Sequence, residues 1–290
     1  MSVRVGVIPA AGLGRRFLPF TKAVPKELLP VGSQPAIQRI IDECLDAGIE
    51  HLIVVTSRNK PALEAYLHPS PGLVADLRAA GHTREADAVE QIGRDVDISV
   101  VYQDEPRGLG HAVGCAERLV GGRPFAVLLP DEIMDGASLL RTMIDVHGGT
   151  GGGVVGLQEV PDDQLHRYGI VAPAAAADSD GVIPIRTMVE KPQANAPSNL
   201  AIIGRYVLTP DVFDLLHRTA PGAGGEIQLT DALRAQAGAG PFHGVVNRCV
   251  RHDTGNPLGW FQAVVDTVFD DPEIGPGALE WLRRRLANER

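Results

Sequence analysis

The sequence predicts an α/β fold, a mixed and mostly parallel sheet flanked by helices, and three observations predict it. The chain opens with a β-branched run at 3–8 that breaks into a turn of small residues. A helical repeat at 36–47 and an apolar run at 51–56 follow, completing the strand, loop, helix, strand order of a parallel βαβ unit. Apolar runs ending in polar or small-residue loops recur at 98–102 and 125–129, the arrangement in which ligands collect at the carboxyl ends of parallel strands.

With 290 residues and 44% hydrophobic content, the chain buries a sizeable core as one large domain or two closely packed ones. Its 27 Lys and Arg against 36 Asp and Glu give a net charge of -9, which argues against a nucleic-acid partner. An anionic substrate must therefore be drawn by local cations. Cys44, Cys115 and Cys249 are odd in number and lack Cys-x-x-Cys spacing, which reads as buried thiols in a reducing cytoplasm. No charged leader and no apolar run of membrane-spanning length is visible, so a soluble cytoplasmic protein without a membrane partner is expected.

In chain order, the first turn runs Pro9-Ala10-Ala11-Gly12-Leu13-Gly14, with Arg15, Arg16, Lys22 and Lys26 close behind. Small residues let backbone N–H groups approach an anion, and the four cations make phosphate the expected ligand. Without them the loop would read equally well as a simple turn. Phe17 stands where a dinucleotide fingerprint needs a third glycine, and no Gly-Lys pair exists, so neither common phosphate template fits. The helix at 36–47 places Ile37, Ile40, Ile41, Cys44 and Leu45 on one face, and Gly48 stops it. Polar or alanine-rich helical segments at 60–67, 72–80 and 83–93 lead to the strand at 98–102.

Gln103 then stands at a strand end before Gly108-Leu109-Gly110-His111. A side-chain amide offers a donor and an acceptor side by side, which suits the edge of uracil or thymine, or it is a solvated glutamine. The strand at 125–129 delivers Asp131 onto its carboxyl end, where an ionised group needs a partner or a hard cation. Glu132 and Asp135 are near enough to substitute, or are solvated.

Beyond Ser138 come a helix at 139–147, a glycine run at 148–153, a strand at 154–157 and a loop through 162–171. A strand at 186–190 ends in Glu190-Lys191-Pro192, offering an acceptor for sugar hydroxyls and a fifth phosphate cation, or a surface ion pair. Gly204 inside the strand at 200–208 suggests a bulge or the close approach of a ligand. A helix at 226–237, a strand at 248–255 presenting Asp253, and helices at 259–269 and 277–286 complete the chain, with Arg283, Arg284 and Arg285 read as a solvated cap. The second half is expected to continue the first sheet rather than start a new core. No hydrolytic nucleophile elbow or zinc motif is present, whereas an in-line phosphoryl displacement needs only positioning and charge neutralisation.

Taken together, Ala11-Gly12-Leu13-Gly14, Thr21-Lys22-Ala23-Val24-Pro25-Lys26-Glu27-Leu28-Leu29-Pro30, Gly108-Leu109-Gly110-His111-Ala112, Leu129-Pro130-Asp131, Val189-Glu190-Lys191-Pro192, Ser198-Asn199-Leu200-Ala201, Glu226-Ile227-Gln228-Leu229-Thr230-Asp231 and Asp253-Thr254-Gly255-Asn256-Pro257-Leu258-Gly259 resemble the bacterial UTP-glucose-1-phosphate uridylyltransferases of the sugar nucleotidyltransferase family. The motifs cover almost the whole chain in order. The resemblance implies a Rossmann-like nucleotidyltransferase fold over 1–290, with a nucleotide-binding half at 1–136, a sugar-binding half at 137–256 and C-terminal helices at 257–290. It implies that backbone at Ala10, Ala11, Gly12, Leu13 and Gly14 holds the nucleotide, with Arg16 and Lys26 on the triphosphate. It further implies that Gln103 and Gly108 read uracil, that Asp131 and Asp253 hold Mg2+, and that Lys191 grips the sugar phosphate. Gly169, Glu190 and Asn199 would line the hexose.

The implied reaction joins UTP and glucose-1-phosphate into UDP-glucose and pyrophosphate, in a homodimer or homotetramer. Family members usually carry threonine where this chain has Arg15, a guanidinium that either tightens nucleotide binding or points to solvent. The alternatives are a relative using dTTP or another hexose-1-phosphate, and a sugar-nucleotide sensor without turnover.

Overall fold

A computed structural model describes residues 2–287. Strand β1 (Val5–Pro9) leads into the small-residue loop, short 3-10 turns and a minimal hairpin of β2 (Pro30–Val31) and β3 (Gln34–Pro35). Helix α1 (Ala36–Asp46) buries Ile37, Ile40, Ile41 and Cys44 completely, and Gly48 turns the chain with φ +83. Strand β4 (His51–Thr56), helices α2 (Pro61–Leu67), α3 (Pro71–Ala79) and α4 (Thr83–Gln91), and strand β5 (Asp97–Tyr102) follow at the expected places. Next come α5 (Leu109–Gly114), α6 (Glu117–Val120) and β6 (Phe125–Leu128).

From here the chain departs from expectation in places, each time because a hydrogen bond overrides the local pattern. Strand β7 (Glu132–Met134), for which the sequence suggested no element, pairs antiparallel with a distant segment. Helix α7 (Ser138–Thr150) runs through Gly148 and Gly149, expected as loop, and stops at left-handed Gly151, whose N–H donates to the His147 carbonyl. Strands β8 (Gly153–Glu159) and β9 (Gly169–Pro173) follow; β9 begins inside the predicted 162–171 loop and forms because β10 (Val182–Glu190) pairs with it, Glu190 opposite Gly169.

Strand β11 (Leu200–Leu208) shifts register against β8 around Gly204, so the expected irregularity is real. A Cβ at Gly204 would lie 2.8 Å from the Leu129 side chain, so the close approach is to protein. After α8 (Val212–Arg218), helix α9 (Leu229–Ala239) begins three residues later than predicted because Ile227 bonds instead to the 107–110 loop. Strand β12 (Phe242–Val246) is followed by β13 (Arg251–Asp253), shorter than the predicted 248–255 because the Asn247 side chain folds 247–249 into a turn. Helices α10 (Pro257–Asp270) and α11 (Gly275–Ala287) close the described chain, and the last residues of the 257–290 segment lie outside it.

The main sheet has nine strands in the order β5-β4-β1-β6-β11-β8-β12-β10-β9. The first four are mutually parallel, β11 joins antiparallel to β6, and β8 and β12 pair parallel beyond it. The second half therefore extends the first sheet. Alternation along β1 sends Val5 and Val7 to one face and Ile8 to the other. One face packs on α1 and α7, the other on α5, α8 and α9, which gives the three-layer architecture of an α/β protein. β1 lies between β4 and β6, so the chain order reverses at its carboxyl end, the crevice where ligands of open α/β sheets bind.

Candidate active site

The loop after β1 owes its shape to side chains that follow it. Gly14 is left-handed at φ +63, and an added Cβ would lie 3.1 Å from Thr21 and 3.2 Å from Lys26. Thr21 Oγ1 also donates to the Gly14 carbonyl at 2.9 Å. Behind the loop, the buried Lys60 ammonium donates to the Ala10 carbonyl at 2.6 Å and to both oxygens of buried Glu27 at 3.0 and 2.9 Å. Burial pushes the Lys60 ammonium down, and Glu27 only partly offsets it. Lys60 thus clamps the loop to the segment that carries Lys26.

Lys26 reaches across to Asp131, three residues beyond the end of β6, and forms an ion pair with it. Burial opposes the charge on both partners. Their mutual attraction outweighs it, holding the Asp131 carboxyl below the usual carboxylate range and the Lys26 ammonium above its ordinary value. Both groups are ionised at neutral pH.

Asp253 arrives from β13. The Thr254 N–H and hydroxyl donate to the Asp131 carbonyl at 2.8 and 3.1 Å, which fixes the two aspartates side by side. Arg16 donates to the Gly255 carbonyl at 3.2 Å and ties the amino-terminal loop to the same turn. The turn is then locked to α10: Asn256 caps Gly259 N at 2.9 Å, and a Cβ on Gly259 would lie 2.0 Å from the Asp253 carbonyl oxygen. These contacts explain the glycine and asparagine of the Asp253-Thr254-Gly255-Asn256-Pro257-Leu258-Gly259 stretch.

On the far side, Glu190 ends β10 opposite Gly169. It accepts from Thr230 Oγ1 at 2.6 Å and meets Lys191 Nζ at 3.0 Å. Lys191 takes φ +44, a left-handed value uncommon for a residue with a side chain, and its N–H donates to the Tyr168 carbonyl at 2.9 Å. A side chain at Gly169 would meet Thr230 at 3.1 Å and Glu190 at 3.3 Å.

These pieces enclose a cleft of about 480 Å³ at the carboxyl ends of the central strands. Arg16, Asp131, Gly169, Glu190, Lys191 and Asp253 all line it, and Lys26 borders it through Asp131. Gln103 and Gly108 are not among its lining residues; Gln103 is buried just after β5, and its amide donates to the Gly108 carbonyl at 3.1 Å. Ala10 and Ala11 are buried, while Gly12, Leu13 and Arg15 are exposed at the loop tip. Asn199 is exposed before β11 and is not among the cleft-lining residues, so the sugar role expected for it finds no support there.

Several cleft residues were missed from sequence. Arg251 shares a strand face with Asp253, two residues away, and the period-two rule would have found it. Arg167 lies 3.8 Å from Asp253. Glu132, expected as solvated, instead accepts from Gly204 N at 3.1 Å and Arg251 Nε at 2.6 Å. Asp135 is exposed and faces a different cavity.

The donor set suits a hard divalent cation. A Cβ on Gly255 would lie 2.9 Å from Asp131 Oδ2 and 3.0 Å from Asp253 Oδ1, so the missing side chain leaves the space between the two carboxylates open. Among the described residues no cluster of three or more His, Cys, Asp or Glu forms a complete protein cage. Two carboxylates with the rest of the shell left to phosphate and water is the way magnesium is held at phosphoryl-transfer sites.

The sheet is mixed and parallel around β1, with a small-residue loop at its switch point and two carboxylates beside it, and the nucleotidyl transferase family model matches residues 5–267 of this chain. The chain is 43% identical to a UTP-glucose-1-phosphate uridylyltransferase of Bacillus subtilis (strain 168), over 99% of this chain and 98% of the relative. A UTP-bound UGPase from Acinetobacter baumannii superposes with a TM-score of 0.88 at 35% identity, covering 98% of this chain and 99% of that one. A UDP-glucose pyrophosphorylase complexed with UDP-glucose gives 0.81 at 39% identity, covering 90% and 97%. The chain belongs to the UTP-glucose-1-phosphate uridylyltransferase family.

Proposed function

We infer that this chain transfers UMP from UTP to glucose-1-phosphate, giving UDP-glucose and pyrophosphate. The observation that carries this reading is the convergence of Arg16, Asp131, Gly169, Glu190, Lys191 and Asp253, scattered over some 240 residues of sequence, on one cleft with Lys26 at its edge. A phosphate oxygen of the sugar attacks the α-phosphorus and pyrophosphate leaves in line, so one phosphoanhydride replaces another. No covalent nucleophile is needed, and the protein acts by positioning two polyanions and neutralising their charge.

Backbone from Ala10 to Gly14 cradles the triphosphate, and Arg16 and Lys26 neutralise it. Gln103 and Gly108 read the base, Lys191 grips the sugar phosphate, and Glu190 accepts from hexose hydroxyls above Gly169. Asp131 and Asp253 would hold Mg2+, which would supply Lewis-acid charge neutralisation for the phosphates. The strained backbone at Lys191 and the ion pair at Asp131 keep these groups in place before substrate arrives.

The working form is a homodimer or homotetramer in the cytoplasm. Exposed Leu258, Phe261 and Trp281 on α10 and α11 support self-association, which light scattering tests. The three free thiols support a reducing compartment, and no described helix is long and apolar enough to cross a membrane. The decisive experiment is a product assay with UTP or dTTP against glucose-, galactose- and N-acetylglucosamine-1-phosphate, with and without magnesium. UTP with glucose-1-phosphate is expected to lead the panel and to require the metal. A preference for dTTP, or UDP-glucose binding without any pyrophosphate formed, would overturn the assignment.

A further inference from the structure

Gln103 is 7% exposed, and its N–H donates to the Thr56 carbonyl at 2.8 Å, so the residue is fixed at the end of β5. One side-chain atom lies 3.1 Å from the Gly108 carbonyl oxygen and 2.9 Å from His111 Nδ1. A peptide carbonyl can only accept, so the atom facing it is the amide nitrogen. The same nitrogen faces His111 Nδ1, which must then be the acceptor, leaving the imidazole proton on Nε2. Both amide hydrogens are used inside the loop. What Gln103 offers a ligand is its oxygen, an acceptor only.

The Gly108 carbonyl cannot turn away to release this arrangement. Gly108 sits at φ +97, and an added Cβ would lie 2.8 Å from Glu226 Cβ and 2.9 Å from the Ile227 carbonyl oxygen. On either side, Ile227 N donates to the Arg107 carbonyl at 2.7 Å and Gly110 N to the Ile227 carbonyl at 2.9 Å. His111 is the one partner of the amide that is a replaceable side chain.

We propose that His111 is a specificity-determining positioning residue, whose Nδ1 acts with the Gly108 carbonyl to lock Gln103 oxygen-outward, so that the site takes pyrimidines bearing N3–H and rejects cytosine. The inference rests on the reading of Gln103 as the base-recognition residue. Uracil and thymine present a donor at N3 to the locked oxygen. Cytosine presents a lone pair, so two acceptors meet at a largely buried residue, a mismatch that desolvated sites discriminate strongly. If the amide could flip, its nitrogen would serve cytosine.

The test compares kcat/KM for UTP and CTP in the wild type, His111→Leu, His111→Asn and Gln103→Leu. His111→Leu is expected to lower the UTP-over-CTP ratio at least tenfold, chiefly through a loss with UTP as the amide loses one of its two anchors, since the fixed Gly108 carbonyl still faces the amide nitrogen. His111→Asn, whose Oδ1 takes the place of Nδ1, should restore most of the ratio. A ratio in His111→Leu within twofold of wild type, alongside a collapsed ratio in Gln103→Leu, would sink the His111 assignment alone. An unchanged ratio in Gln103→Leu would instead remove the base-reading role itself. Nitrogen-15 NMR of the wild-type imidazole decides the matter independently of variant folding: an Nε2–H tautomer is expected, and a proton on Nδ1 contradicts the lock.

Discussion

Asp131 shows how much a single side chain is asked to do. It is paired with Lys26 through Oδ2, its carbonyl is held by Thr254, and a Cβ on Gly255 would lie 2.9 Å from that same Oδ2. Asp131→Asn keeps the shape and removes the charge, and Lys191→Ala removes a cation from the cleft; each is expected to lower kcat/KM by an order of magnitude or more in a pyrophosphate-release assay. The ion pair also sets a pH window for stability. The Asp131 carboxyl is depressed in the folded protein, so its contribution is present above the unfolded value of about 4 and is lost as pH falls through the folded one. Lys26 is raised, so its contribution is present below about 10.4 and is lost as pH rises through its folded value. Urea unfolding from acid to alkaline pH should therefore show a wild-type advantage over Asp131→Asn that is level through neutrality and shrinks at both ends.

Among elements, the amino-terminal loop is the one most dependent on others. It has no regular ladder of its own beyond short 3-10 turns, and Lys60, Thr21 and Arg16 tie it to α2, to its own continuation and to the Asp253 turn. The Lys60 and Glu27 pair is buried, and removing one member leaves the other charged without a partner. Lys60→Met is expected to cost about 3–5 kcal/mol by denaturant titration, with most of it recovered in the double variant Glu27→Leu/Lys60→Met. A single variant as stable as wild type would show that the clamp does not hold the loop. Glu27 lies inside a recognised motif and Lys60 outside any, which is why only the first drew notice in the sequence.

At the scale of the whole molecule, one buried cation joins the two halves. Arg205 on β11 pairs with Glu43 of α1 at 2.8 and 2.6 Å and donates to the carbonyls of Gly204 and Glu132 at 2.8 and 2.7 Å. It thereby fixes the segment carrying Asp131 from the second half of the chain. Arg205→Met should destabilise the fold by about 3–5 kcal/mol, since Glu43 is left buried and unpaired, and calorimetry should show one lowered transition. Two separate transitions would mean that the halves unfold independently.

The strand and helix sequence was legible wherever burial alone dictates pattern: β1, α1, β4 and β6 stand within one or two residues of expectation because their apolar periodicity has one solution. β7, β9 and the late start of α9 were not, because each is settled by pairing with residues 12 to 121 positions away. The site divides in the same way. Residue types at strand ends pointed to a phosphate loop, a base-reading amide and metal carboxylates before any fold was known. That Lys26 meets Asp131, that Arg251 and Glu132 join the cleft, and that the Gln103 amide nitrogen is taken up by the Gly108 carbonyl and His111 were decided only by the tertiary structure. Local spacing fixes which way a side chain leaves its own element, whereas a partner across the sheet fixes its charge state and its free valence, and no single stretch of chain contains both halves of such a pair.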